Sequence, residues 1–384
     1  MQSLASVVLF SCLCLSGCGV ETDNPDPMSG VTRVGDVLGD TETNVGDFAR
    51  AEMVRKFDFP RDHGPHPEYR SEWWYLTATM QNSAGDEFGM QFTLFRRALS
   101  ASPFGDSAWQ SGQLYMAHVA ITDVAGQRHL YDQRLARGHP ASAGVELTPQ
   151  YRAYLEDWVL EGFVGDGEMG PVELDLKVKS GVGFSLEIHL AQTQPILLQG
   201  DRGLSAKGPG QASYYYSIPS MAVRGHVEIA GERHQLAGKG WLDREWSTSV
   251  LGSDLVGWDW FAIHLDDNSE LTLFQLRRKD CRPDAYNKAL ALDEYAVRRD
   301  FAAGELSFQP QKYWRDAEGT DWPIAWMVTM GADRYQIDAM VLDQIMDTGI
   351  RYWEGIVAVS QDGRRIGRGY MEMTGYEGEQ SCGG

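Results

Sequence analysis

Between Phe57 and Thr374 no stretch sustains the 3.6-residue apolar period of an amphipathic helix. Short runs rich in Trp, Tyr, Phe, Val, Ile and Thr follow one another instead, cut by Gly, Pro, Asn and Asp. That pattern confines the chain to antiparallel β-structure, because such residues fit a pleated surface and their interruptions are turn formers. The clearest unit is Ser71-Glu72-Trp73-Trp74-Tyr75-Leu76-Thr77-Ala78-Thr79-Met80, a turn over Asn82 to Asp86, and a return over Phe88 to Arg96. Further strands are expected around Tyr115–Asp123, Arg128–Gln133, Trp158–Val164, Val172–Val178 and Phe184–Leu190. Strands at this spacing predict a barrel or sandwich.

A second β-rich section starts near Val223–Ile229 and runs through Trp258–Leu265, a turn at Asp266–Ser269, and Leu271–Arg277. It closes with Trp326–Met330, Tyr335–Val341, Tyr352–Ser360 and Gly369–Thr374, where Asp362-Gly363 is a strong hairpin signal. The Gly-rich segment Gln199 to Gln211 between the sections reads as an interdomain connection. Trp74-Tyr75 with its return Phe92-Thr93-Leu94-Phe95-Arg96 parallels Trp260-Phe261 with Leu271-Thr272-Leu273-Phe274-Gln275. This likeness favours two related β-domains over one large sandwich.

The start of the chain is a targeting segment. The apolar run Leu4 to Leu15 is too short to span a bilayer and ends at Ser16-Gly17, before Cys18. Leu15-Ser16-Gly17-Cys18 resembles the bacterial lipobox, which makes Cys18 the expected lipidation site after removal of residues 1–17; a plain signal peptide is the competing reading. Residues 18–56 lack any sustained period and are expected to tether the folded part to the membrane. The expected place is therefore the bacterial cell envelope, facing the periplasm or the exterior. Cys281 and Cys382 remain in the mature chain and could pair there. The net charge of −20 argues against nucleic acid as a partner.

Chemistry-bearing residues concentrate in Gly240-Trp241-Leu242-Asp243-Arg244-Glu245-Trp246-Ser247 and Gly257-Trp258-Asp259-Trp260-Phe261. Charges set among large aromatic rings are costly to bury unless paired, so the density marks a pocket or a buried network. Period two on a strand puts Trp258 and Trp260 on one face and Asp259 on the other with Phe261. If that face lines a barrel interior, burial raises the Asp259 pKa and keeps a proton ready to donate. Asp243, Arg244 and Glu245 can form an ion-pair network that fixes register without chemistry. His63 and His66 lie in a loop with Pro60, Pro65 and Pro67, which suits orientation of a barrel mouth better than a metal. His118 and His264 read as satisfied interior histidines, and Tyr214-Tyr215-Tyr216 as a core, an interface or the lining of a ligand opening. The chain carries no CxxC pair, no G-x-S-x-G, no P-loop and no G-x-G-x-x-G after a strand. Thiolate zinc, serine-hydrolase chemistry and nucleotide cofactors thus lack support, and no cofactor or metal is expected.

Several of these motifs occur together in one known family. Phe59-Pro60-Arg61-Asp62-His63-Gly64-Pro65-His66-Pro67 with Glu72-Trp73-Trp74-Tyr75, Ala212-Ser213-Tyr214-Tyr215-Tyr216-Ser217, Trp241 to Ser247, Gly257 to Phe261 and Tyr352-Trp353-Glu354-Gly355 follow in order. On them the chain resembles the AttH/carotenoid 1,2-hydratase (hydroxyneurosporene synthase-like) family over about Phe57 to Tyr376. The resemblance implies an all-β protein of two lipocalin-like antiparallel β-barrel domains packed together, here divided as 57–215 and 216–384. It also implies a cavity for an apolar isoprenoid, polyene or lipid-like ligand. Hydratases of this family add water to an isoprenoid double bond by acid catalysis, and fungal relatives act as pericyclic cyclases. Asp259 matches the hydratases' proposed proton donor, with Arg244 and Glu245 beside it as further catalytic candidates. Trp74, Tyr215, Trp246, Trp258, Trp260 and Tyr352 are the expected ligand walls. Arg244 stands where the hydratases carry histidine, and Gly257 where they carry a tyrosine. Two readings follow: a cofactor-free hydratase, cyclase or hydrolase-like enzyme, or a lipid-binding carrier using the same barrel.

Overall fold

The computed structural model of the chain describes residues 47–102, 110–168, 170–248, 252 and 254–377. Cys18, residues 1–17 and Cys382 lie outside them; Cys281 is disulfide-bonded. The described chain is almost entirely strand, in two antiparallel sheets. The first contains β1 (Ser71–Gln81), β2 (Glu87–Ala98), β3 (Gln113–Asp123), β4 (Arg128–Arg137), β5 (Ala143–Glu146), β6 (Tyr151–Leu155) and β7 (Trp158–Val164). It continues with β8 (Val172–Lys179), β9 (Phe184–Gln192), β10 (Leu197–Leu198), β11 (Leu204–Gly208), β12 (Gln211–Ile229) and β13 (Glu232–Ser247). The second contains β14 (Leu255–Leu265), β15 (Glu270–Arg278), β16 (Lys288–Leu292), β17 (Arg298–Ala302) and β18 (Leu306–Arg315). Its remaining strands are β19 (Asp321–Met330), β20 (Asp333–Ala339), β21 (Ile345–Asp347), β22 (Arg351–Gln361) and β23 (Arg364–Thr374).

The first sheet runs β4-β3-β2-β1-β13-β12-β9-β8-β7-β6-β5. Its two ends approach each other, with β6 against β2, β3 and β4, so it curls into a nearly closed barrel. On the solvent side the strands alternate strictly: in β8, Val172, Leu174, Leu176 and Val178 point inward while Glu173, Asp175, Lys177 and Lys179 face water. The second sheet runs β17-β16-β15-β14-β23-β22-β20-β19-β18 and makes a half-barrel. Its concave core holds Phe261, Ile263, Trp322, Trp326, Trp353, Met371 and Met373. The Asp362-Gly363 turn closes β22 on β23 with both residues at positive φ (52° and 76°), as a two-residue hairpin of this composition requires.

The sheets meet where β1 crosses β23 and β2 crosses β22. Strands at this contact are buried on both faces, so they lose the in–out alternation of the barrel's outer side. Trp74, Leu76, Ala78 and Met80 fill the barrel, while Trp73 and Tyr75 turn to the second sheet. Gly89 permits the close approach: a Cβ there would stand 2.8 Å from the Ile356 Cβ.

Three expectations need correction. The sheets divide between Ser247 and Leu255, whereas a boundary at 215/216 falls inside β12. The segment Gln199–Gln211 does not link domains: β10 and β11 fold back on β12 of the same sheet. The folded part also begins before Phe57, because the Ala49 N–H bonds Glu68 O at 2.9 Å, Ala51 is buried in the core, and the Arg55 guanidinium pairs with Asp62.

Candidate active site

The parity of each strand decides what the sheet-to-sheet contact contains. Along β13, Trp241, Asp243 and Glu245 face the second sheet, and Leu242, Arg244 and Trp246 face the barrel. Along β14, Trp258 and Trp260 face the first sheet, and Asp259 and Phe261 face the half-barrel core. The two hairpins that look alike in sequence are therefore out of phase by one residue. Tyr75, not Trp74, meets Trp260, edge to face at 5.1 Å.

Registers then align whole rows. In the second sheet, Lys288, Phe274, Trp260, Glu372 and Glu354 are successive cross-strand partners, a single rung running across five strands. In the first sheet, Phe95, Trp73, Glu245 and Tyr215 form one rung, and Thr93, Tyr75, Asp243 and Ser217 the next. The rungs face each other across a cavity also lined by Ser205, Lys207, Trp258, Ile350, Tyr352 and Thr374. Its atom-free space is about 830 Å³ with the mouth included. The space between the two sheets, walled by Trp73, Tyr75, Trp258, Trp260 and Phe274, is called the slot below.

Four carboxyl groups face this slot: Asp243, Glu245, Glu354 and Glu372. Glu245 is neutralised by an ion pair with Lys207 and also accepts from the Ser213 hydroxyl. Asp243 accepts from Ser217 Oγ (2.5 Å), Trp241 Nε1 (2.7 Å) and the Tyr215 hydroxyl (2.6 Å). Burial still lifts its pKa to about 7 against these bonds. Glu372 accepts from Trp258 Nε1 at 2.9 Å, and burial raises it to about 7 as well. Glu354 differs from the rest. Neither of its oxygens has a hydrogen bond of ordinary geometry, although the Tyr75 hydroxyl lies beside it. Burial and then the Glu372 charge hold its pKa well above the carboxylate range, although the Tyr75 hydroxyl works the other way. Two carboxyl groups directly opposite on neighbouring strands cannot both ionise cheaply, so the Glu354–Glu372 pair keeps a proton at neutral pH.

The expected site residues separate accordingly. Glu245, Tyr215, Trp258, Trp260 and Tyr352 come together on the slot, with the Tyr352 hydroxyl bound to His118 Nδ1 at 2.5 Å. Arg244, Trp74 and Trp246 do not. Arg244 cannot pair with its neighbours Asp243 and Glu245, because adjacent residues on a strand point to opposite faces. It crosses the barrel interior to Glu72 at 2.7 Å and stacks over Trp74 at 3.8 Å. Glu72 also binds Arg96 (2.9 Å) and His66 Nδ1 (2.7 Å), and His66 stacks flat on Trp246 at 3.8 Å. Burial pushes the Glu72 carboxyl up, but His66, Arg244 and Arg96 overcome it and hold it well below the usual range. This closed cluster fastens the Phe59–Pro67 loop to the barrel.

Asp259 is also away from the slot. It is fully buried, accepts from Gln275 Nε2 (2.8 Å) and the Tyr376 hydroxyl (2.9 Å), and has Arg277 Nε at 3.3 Å. Burial raises its pKa while Arg277 and both hydrogen bonds oppose the rise. Glu354, Glu372, Lys207 and Lys288 are absent from the sequence-derived site. Glu354 sits in a quoted motif, and parity from Tyr352 would have placed it on the same face; Lys207 is carried by the segment read as a connection.

The fold and the slot define a double-sheet, lipocalin-like protein with an acidic, aromatic pocket at the sheet contact. Residues 50–376 match the AttH-like family, and the chain belongs to it. An AttH-family protein from Nitrosomonas europaea is 36% identical, with a TM-score of 0.74 over 86% of this chain and 100% of that one. Kievitone hydratase from Nectria haematococca has the same fold at 14% identity and TM-score 0.59, covering 86% of this chain and 98% of its own. CghA does so at 12% identity and TM-score 0.52, covering 87% and 97%. No curated protein matches the sequence.

Proposed function

We propose that this chain is a lipid-anchored protein of the bacterial envelope that binds an apolar molecule in the slot and adds water to it, or removes water, by acid–base catalysis. The observation that carries the reading is the Glu354–Glu372 pair, two carboxyls opposite each other among aromatic walls, with only the Tyr75 hydroxyl beside Glu354 among the described residues. In the hydration direction the Glu354 O–H donates its proton to one alkene carbon, and a water oxygen bonds to the other. The water gives its proton to the Glu372 carboxylate, and passing that proton to Glu354 restores the pair. The π faces of Trp73, Trp258 and Trp260 steady positive charge developing on the substrate. A carrier pocket needs no pair of opposed carboxyls, and burying such a pair is costly. Family membership and the hydratase among its structural relatives support the reaction class. The Leu15-Ser16-Gly17-Cys18 motif supports anchoring through Cys18.

The test is extraction of the protein from its native membrane and mass spectrometry of what co-purifies, for the wild type and Glu354→Gln. Bound molecules from the two proteins should differ by one water, and oxygen-18 water should label only the wild-type product. The same molecules from both, without label, would end the catalytic reading and leave the carrier.

A further inference from the structure

The rung that ends in the carboxyl pair begins at Lys288, a residue the proposed chemistry does not use. Lys288 lies at the junction of two cavities: the slot, and an outer pocket that shares Tyr215, Trp260 and Phe274 with it and is rimmed by exposed Asp300 and Glu305. The surface that Lys288 keeps is turned to these cavities. Among the described residues its ammonium has one hydrogen-bond partner, the Ser205 hydroxyl, and no carboxylate. The nearby charges are already engaged. Lys207 is paired with Glu245, Arg298 holds Asp300 and the carbonyls of Leu198 and Gly200, and Glu305 accepts from the Ala302 N–H. Burial, and then Lys207, lower the Lys288 pKa to about 8 against the pull of the Glu245 charge, so the amine remains largely a cation at neutral pH. A half-buried cation whose nearest carboxylate, Glu245, is already bonded to Lys207 has donors to spare, and an arriving anion can take them.

Resting on the reading of the slot above, we infer that the substrate is an extended amphipathic organic acid, its carboxylate held by Lys288 and Ser205 at the threshold and its apolar body laid along Phe274 and Trp260. The rung also sets a length. Glu372 and Glu354 are three and four strands from Lys288, so the reacting double bond lies about 14–19 Å from the carboxylate, at about 4.8 Å per strand. The acid enters through the outer pocket, leaving its charged end nearest to water.

Binding of a conjugated tetraenoic fatty acid and of its methyl ester to the full mature chain, followed by the probe's fluorescence, tests this. The wild type should prefer the free acid by about tenfold to a hundredfold, the range of a hydrogen bond to a charged group. Lys288→Met should bind acid and ester alike and stay folded, since it removes a poorly compensated, half-buried charge, and Lys288→Arg should restore the preference. Equal binding of acid and ester by the wild type, an unchanged preference in Lys288→Met, or binding of neither probe would overturn the assignment. Such a result leaves the water-addition reading standing if Glu354→Gln still changes the co-purifying molecule. Loss of that change with the acid preference intact would remove the chemistry and keep the ligand class.

Discussion

Glu354→Gln gives the most direct test of the site, because one substitution moves both stability and chemistry in stated directions. The unfolded carboxyl titrates at its ordinary value of 4.5, while the folded group is held well above it by burial and by Glu372. Between those two pKa values the native state keeps a proton that the unfolded state has lost. Stability must then fall as pH rises, by about 1.4 kcal/mol per pH unit. From pH 4.5 to 7.5 the loss has an upper bound of about 4 kcal/mol. Glutamine has the same shape and does not titrate. The variant should therefore match the wild type near pH 4.5 and grow more stable relative to it as pH rises. Other titrating groups, including Glu372 and the buried histidines, are common to both proteins and largely cancel in the difference.

The assay is urea unfolding of both proteins from pH 4.5 to 8.5, with the difference in stability plotted against pH. A slope near the value above would place the proton on Glu354, and turnover should drop by about 10²–10⁴-fold, the usual worth of a positioned acid. Parallel stability curves would mean that Glu354 ionises like an exposed carboxyl. The acid of the proposed mechanism would then be missing.

Three other substitutions separate the slot from its surroundings. Glu372→Gln should abolish turnover without weakening ligand binding; in the wild type, turnover should rise as pH passes through about 7, and a variant that kept that rising limb would exclude Glu372 as the base. Asp259→Asn should lower the melting temperature by loosening Arg277 and Tyr376, yet keep turnover per folded molecule within about twofold, since its side chain lies on the face of β14 opposite to the slot; a collapse of turnover would return the acid's role to Asp259. Glu72→Ala strands Arg96, Arg244 and His66 in the barrel and should cost about 3–5 kcal/mol at neutral pH. That gap should narrow as pH falls below 4.5, where protonation of Glu72 in the unfolded chain begins to cancel its depressed native pKa; a gap independent of pH would refute the ion-pair account.

The fold was legible wherever one strand face met water, because alternation such as that of Val172–Val178 has a single solution. The short β5 and β6, and the largely exposed β18, carry too little pattern to be read. The site was harder to read for a specific reason. In Trp258-Asp259-Trp260 both faces of the strand are buried, so parity separates Asp259 from the tryptophans without saying which face holds the pocket. Aspartate among aromatic residues suggested one environment, but the second sheet divides it into two. Asp259 is closed off with Arg277, Gln275 and Tyr376 on one side, while the tryptophans open onto the slot on the other. The same parity splits Asp243 and Glu245 from Arg244, and with it the site from the scaffold. What sequence could not supply was register. Only the pairing of β16, β15, β14, β23 and β22 brings Lys288, Phe274, Trp260, Glu372 and Glu354 into one rung, from positions spread over much of the second sheet's length of chain. A cation at one end and a carboxyl pair that keeps one proton at the other give this aromatic crevice a direction, and that direction is a property of the sheet rather than of any motif.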